Sequence, residues 1–139
     1  MHVIDASVIA KWYIVEEDTD KALYIRNKYI SGDIKITLPD LTILELANAI
    51  RFKKNSTLQD VKDVLDNFNK LQFKIIEVTI DLVQKASEFS YDYNISIYDA
   101  LYITLADKIG YEFITADEKL YKKVNNFKNI KLLKHFDIS

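Results

Sequence analysis

The sequence predicts an α/β fold: a central parallel sheet of about five strands with helices on both faces. Two observations carry this. Short apolar runs recur along the chain, and each is separated from the next by one or two segments with helical spacing. Parallel strands need crossovers of that kind, and such crossovers are right-handed, so a sheet covered on both sides follows.

His2 to Asp5 is a short apolar run that reads as the first strand, with Asp5 at its carboxyl end. A helical pattern runs from Val8 to about Ile14. After the acidic turn Glu16 to Asp18, a helix from about Asp20 to Ile30 is expected to stop at Ser31-Gly32-Asp33. Ile34 to Leu38 is the second strand, closed by Pro39. Leu41 to about Lys54 is helical and nearly apolar all round, which makes Glu45 and Asn48 conspicuous. Thr57 and Asp60 have capping-box spacing and open an amphipathic helix whose stripe is Val61, Val64, Leu65, Phe68 and Leu71. Phe73 to Val78 is a third strand. Thr79 caps the next helix, with Leu82, Val83, Ala86 and Phe89 as its buried stripe, and Asn94 ends it. Ser96 caps a helix from Ile97 to Ile109, stopped by Gly110. Tyr111 to Ile114 is the fourth strand, a short helix spans about Asp117 to Val124, and a fifth strand lies near Ile130 to Leu133.

The 139 residues suit one domain, residues 1–139, with no repeat, low-complexity tract or linker. No run is long enough to span a bilayer, and MHVIDASV lacks the marks of a secretory signal, so a cytoplasmic location is expected. The absence of cysteine excludes disulfides, thiolate metal sites and cysteine nucleophiles. A net charge of −2 argues against an indiscriminate nucleic-acid coat. The charge is uneven, however. Lys119, Lys122, Lys123, Lys128, Lys131 and Lys134 occur with no acidic residue between them, and Arg51, Lys53 and Lys54 follow the segment that holds Glu45. Such runs form either a solvated face or a phosphate-facing rim.

Four acidic residues, Asp5, Glu45, Asp99 and Asp117, stand inside otherwise apolar stretches: VIDASV, TILELANAI, ISIYDALYITLA and FITADEKL. Burying a carboxylate is costly unless a positive partner meets it, and a divalent cation is one such partner. Each also has a structural explanation. Asp99 lies three residues after Ser96, Asp117 in the first turn of a helix, Asp5 at a capping position, and Glu45 could reach the surface. As a set they mark the carboxyl edge of a parallel sheet, where ligand crevices lie. Oxygen ligands suit Mg²⁺ or Mn²⁺, and two such ions suit phosphodiester cleavage.

In spacing and context, Asp5 in VIDASV, Glu45 in ELANA, Asp99 in YDALY and Asp117 in TADEKL resemble the PIN-domain nucleases, in particular the VapC-type toxins of toxin–antitoxin pairs. The similarity runs over essentially the whole chain. It implies a PIN-like fold and an endoribonuclease dependent on Mg²⁺ or Mn²⁺, with the four carboxylates as metal-binding catalytic residues and products carrying a 5′ phosphate and a 3′ hydroxyl. Ser7, Asn48 and Thr115 match polar positions that line such a site. The resemblance also implies a homodimer and a small antitoxin protein whose segment blocks the cleft.

Two other readings compete. A receiver domain or an aspartate-nucleophile phosphatase also places Asp after the first strand. The phosphatase pattern wants a second Asp where Ser7 stands, and Val78-Thr79-Ile80-Asp81 is a poor receiver acceptor. A catalytically silent RNA- or protein-binding module is the second, although a passive RNA binder gains nothing from carboxylates facing phosphates. Trp12, Tyr13, Tyr98 and Tyr102 could offer stacking surfaces to bases, while most tyrosines are expected in the core. His2 and His135 have no ligand-like spacing.

Overall fold

The computed structural model describes residues 1–138. Its strands are β1 (His2–Ile4), β2 (Thr37–Pro39), β3 (Lys74–Ile76), β4 (Glu112–Thr115) and β5 (Ile130–Leu132). Its helices are α1 (Ala6–Ala10), α2 (Thr19–Ile30), α3 (Leu41–Arg51), α4 (Leu58–Lys70), α5 (Ile80–Tyr93), α6 (Ile97–Ile109) and α7 (Glu118–Val124). A 3₁₀ turn follows β5 at Leu133–His135.

All strand pairings are parallel. β1 pairs with β4 in the register Ile4↔Ile114, β4 pairs with β5, and β2 pairs with β3. A single bridge, His2↔Ile36, joins the two groups, and the His2 amide donates to the Lys35 carbonyl at 2.9 Å. The strands therefore follow one another as β3-β2-β1-β4-β5. After β1 the chain moves outward to β2 and β3, then returns on the other side of β1 with β4. That reversal opens a crevice beyond the carboxyl ends of β1 and β4.

The sheet divides two cores, as its period of two requires. Ile4 and Ile114 face a cluster drawn from α1 to α4, with Ile9, Trp12, Ile25, Leu46, Ile50 and Phe68. Val3 and Phe113 face the other, built on α5, α6 and α7 with Leu82, Ala86, Leu101, Leu105 and Val124. Every residue of α6 from Ala100 to Ala106 is buried, so this helix runs through the interior instead of lying on it.

The caps follow sequence chemistry closely. The Thr57 side chain accepts from the Asp60 amide while the Asp60 carboxylate accepts from the Thr57 amide, closing the capping box. Thr79 and Ser96 cap α5 and α6, and Asn94 and Gly110 end them with φ of 54° and 72°.

Several boundaries differ from expectation. β2 begins at Thr37, not Ile34, because the amides of Asp33 and Ile34 turn back onto the Lys28 carbonyl and close the end of α2. α1 stops at Ala10, and the next residues form turns. α3 is not buried all round: Leu44 is 69% exposed and Ile43 also faces outward, so the apolar character of that helix does not by itself mark Glu45 as buried.

Candidate active site

Asp5 is the first residue after β1 and the N-cap of α1. Its Oδ1 accepts from the amides of Ser7 and Val8, at 3.1 and 3.4 Å, and from the Ser7 hydroxyl. Its Oδ2 accepts from the Thr115 hydroxyl at 2.5 Å. The same two hydroxyls also accept, Ser7 Oγ from the Ala116 amide at 3.0 Å and Thr115 Oγ1 from the Asp117 amide at 3.1 Å. The turn after β1 and the turn after β4 are thus stitched together through one carboxylate.

That carboxylate is only 5% exposed. Burial pushes its pKa up to about 7, the hydrogen bonds from Ser7 and Thr115 oppose the rise, and the charges of Asp99 and Glu45 add to it. Glu45, on the second turn of α3, is also raised. Burial is the main cause, a hydrogen bond from Tyr102 opposes it, and Asp99 adds to it. Asp99, in the first turn of α6, is raised by burial, with Ser96 opposing, Asp117 adding and Lys123 opposing. Asp117 is the exposed N-cap of α7 and accepts from the Leu120 amide at 3.0 Å.

The four predicted carboxylates therefore come from four elements into one electrostatic neighbourhood. Two of them, Asp5 and Asp117, are helix caps, so the structural explanation holds at those positions. Ser7 and Thr115 bind Asp5 directly. Asn48 lies in the wall of a cleft of about 350 Å³ with Ser7, Lys11, Glu16 and Glu45, while Asp99 and Asp117 lie outside that lining. Among the described residues, no three acidic or histidine side chains stand close enough to hold one ion as placed. The donor set nevertheless fits a hard divalent cation: every group offers oxygen, and burial, with their mutual repulsion adding to it, raises the pKa of three of the carboxylates above the ordinary value.

Sequence reasoning misses part of the site. Tyr102 is not a stacking surface; it is 1% exposed and its hydroxyl donates to Glu45 Oε1 at 2.5 Å. Thr42, which nothing in the sequence singles out, lies 3.1 Å from the same hydroxyl. The only available signal is the position of Tyr102 one helical turn after Asp99. Trp12 is buried too, and its indole N–H donates to the Ala22 carbonyl. Of that group Tyr98 is open to solvent, at 62%. The basic run is partly consumed by ion pairs, Lys131 with Glu112 and Lys134 with Glu118. Asp81, the residue a receiver would need beyond a strand, sits in the first turn of α5 and pairs with Lys85.

A parallel sheet with carboxylates gathered at the β1/β4 reversal defines the class of acidic-site α/β proteins. The PIN domain model matches residues 2–126, and the chain belongs to the PIN domain family. Ribonuclease VapC3 of Pyrobaculum aerophilum is 28% identical over 126 residues, spanning 87% of this chain and 92% of that one. Among solved structures, VapC20 of Mycobacterium tuberculosis, described as a Sarcin-Ricin loop cleaving toxin, superimposes with a TM-score of 0.69 at 14% identity, covering 88% of this chain and 94% of that one. A chain of a toxin–antitoxin complex from Klebsiella pneumoniae gives 0.70 at 14% identity, covering 99% and 100%. At these identities the structural matches speak for the fold. No helix among the described residues is long and apolar enough to cross a membrane.

Proposed function

We propose that this protein is an endoribonuclease that hydrolyses RNA phosphodiester bonds with Mg²⁺ or Mn²⁺, and that it acts as the toxin of a toxin–antitoxin pair. The observation that carries the reading is the burial of Asp5 at the strand-order reversal, with Asp99 and Glu45 close enough to oppose its ionisation. A carboxylate built into the fold at that cost is explained by a cation that it serves.

Asp5, Glu45, Asp99 and Asp117 would hold the metal, which when bound supplies Lewis acidity toward phosphate and eases deprotonation of the attacking water. Ser7 and Thr115 fix the Asp5 carboxylate by donating to both of its oxygens. Asn48, on the cleft wall, is placed to hold a water or a substrate oxygen. Lys11 also lines the cleft and offers positive charge to a phosphate, although its ammonium is engaged by the Glu17 carbonyl at 2.8 Å and Glu16 at 3.4 Å. No side-chain nucleophile is required.

The partners follow from the relatives. The Klebsiella neighbour is described as a toxin–antitoxin complex and the Pyrobaculum relative as a ribonuclease. A cognate antitoxin, a homodimeric assembly, one domain over residues 1–139 and a cytoplasmic location complete the proposal.

The test is incubation of purified, partner-free protein with a mixed cellular RNA pool in Mn²⁺ or Mg²⁺, with EDTA and Asp5→Asn as controls. Cleavage that disappears in both controls supports the reading, and mapping the cut ends identifies the target. Cleavage that survives EDTA overturns metal dependence. A folded, metal-binding protein that cuts nothing in the pool favours the silent binding module.

A further inference from the structure

We propose that Tyr102 is a positioning residue for Glu45: its hydroxyl, itself oriented by Thr42, holds Oε1 and fixes how the carboxylate faces the cleft. The proposal builds on the metal-dependent nuclease reading and assigns a role to two residues outside the acidic set.

The direction of the hydrogen bonds is forced by proton counting. A phenol has one proton, and Tyr102 donates it to Glu45 Oε1 at 2.5 Å. The 3.1 Å contact between Tyr102 and Thr42 must then have the threonine as donor. The relay runs Thr42 to Tyr102 to Glu45, leaving α3, touching α6, and returning to α3 three residues on. Both hydroxyl residues are sealed from solvent, Thr42 at 0% and Tyr102 at 1% exposure, so water does not compete for the bond between them, while the bond to Glu45 is part-buried at the cleft wall. The Tyr102 ring is clamped as well, stacked on Phe113 with centroids 5.8 Å apart and planes 12° from parallel.

Packing alone does not account for this arrangement. A phenylalanine at 102 would fill the same space without bringing a hydroxyl into the core. A buried tyrosine needs a partner for its O–H, but a backbone carbonyl serves that need without placing a carboxylate beside it. Glu45 has several rotatable bonds, and holding one oxygen removes most of that freedom before any ligand arrives. Since α6 also carries Asp99 one turn earlier, the same rigid helix sets the positions of two of the four carboxylates. Partners of this kind, one bond removed from a metal ligand, typically change affinity by about ten- to a hundredfold when deleted.

The experiment compares the full-length parent with Tyr102→Phe, Thr42→Val, Thr42→Ser and Glu45→Gln. It reads the melting temperature in EDTA, the Mn²⁺ dissociation constant by calorimetry, and the tyrosine difference absorption during Mg²⁺ titration. Tyr102→Phe is expected to fold, to bind Mn²⁺ about tenfold more weakly, and to lose the Mg²⁺-induced tyrosine difference signal. Thr42→Val should give a smaller loss and Thr42→Ser should restore parental affinity. If Glu45→Gln weakens binding while Tyr102→Phe binds like the parent and keeps its difference signal, the positioning role is overturned and the nuclease reading stands. If the folded parent binds no Mn²⁺, both fall. If Tyr102→Phe melts too early to be read, Thr42→Val and Thr42→Ser decide: equal affinity in these two overturns the proposal.

Discussion

The Thr115 hydroxyl donates to Oδ2 of Asp5 across 110 positions of sequence, joining the carboxyl ends of two adjacent parallel strands through a 2.5 Å bond. Thr115 is fully buried and accepts from the Asp117 amide in turn. One side chain therefore holds an acidic residue in place and shapes the turn that presents another.

Replacing it tests that double duty. Thr115→Val keeps the shape but leaves Asp5 Oδ2 and the Asp117 amide without their partner, at a cost of about 1–3 kcal/mol for the buried Asp5 oxygen and less for the part-buried amide. Urea unfolding in EDTA is expected to show a lower midpoint with an unchanged slope, and Thr115→Ser should recover most of it. An unchanged midpoint in Thr115→Val would mean that the bond contributes nothing to the fold.

Asp5→Asn separates stability from activity. An asparagine oxygen can still accept from the Ser7 and Val8 amides, its NH₂ can donate to Thr115 Oγ1 in place of the bond that Oδ2 accepts, and the change removes a charge whose burial is costly. The variant should melt higher than the parent in EDTA at pH 8 and should lose RNA cleavage by at least about a hundredfold, as expected when a group essential to a catalytic unit is removed. A variant that cleaves normally would take Asp5 out of the site.

The pH dependence of the metal-free protein follows from the same carboxylate. Its folded pKa of about 7 lies above the ordinary value of 3.8, so between those limits the native state binds more protons than the unfolded chain. The stability this adds is present at the acid end of the window and is lost as pH rises through it, by up to about 4 kcal/mol for a shift of that size. Glu45 and Asp99 act in the same sense. Asp60 and Glu118, held low by the Thr57 amide and by Lys134, act oppositely at more acid pH. Denaturation series from pH 4 to 8 in EDTA should therefore show a decline. Mn²⁺ at a hundred times its dissociation constant should restore about 2.7 kcal/mol at the alkaline end. Flat stability in EDTA, or indifference to Mn²⁺, contradicts this account.

Lys119 and Lys122 are exposed on α7, which Asp117 opens at the site. If that face meets the RNA backbone, changing both to alanine weakens binding for every sequence and lowers the slope of log affinity against log salt by about 0.7 per lost phosphate contact. The measurement is RNA binding by Asp5→Asn carrying the two changes, over a salt series. An unaltered slope assigns this face to solvent.

Much of the site is legible in the amino-acid sequence itself. Carboxylates in apolar settings stand out because their burial is costly, and Asp5, Glu45 and Asp99 are buried enough to have raised pKa values, with Asp117 acting on Asp99. Ser7 and Thr115 are legible only through resemblance, since nothing local says that a hydroxyl before the Asp117 turn should reach Asp5. Tyr102 is easily misread because a tyrosine in an apolar helix looks alike whether its hydroxyl meets solvent, a base or a glutamate 57 positions away. Trp12 misleads for the same reason, its indole being satisfied by a carbonyl of α2.

Local chemistry determined the caps, the order of strands and helices, and the identity of the acidic residues, because each depends on neighbours within a few positions. The strand order β3-β2-β1-β4-β5, the burial of Asp5 and the relay from Thr42 through Tyr102 to Glu45 were decided only in three dimensions. Hydrogen bonds between distant residues, and the desolvation that raises a pKa, exist only once the sheet has brought those residues together.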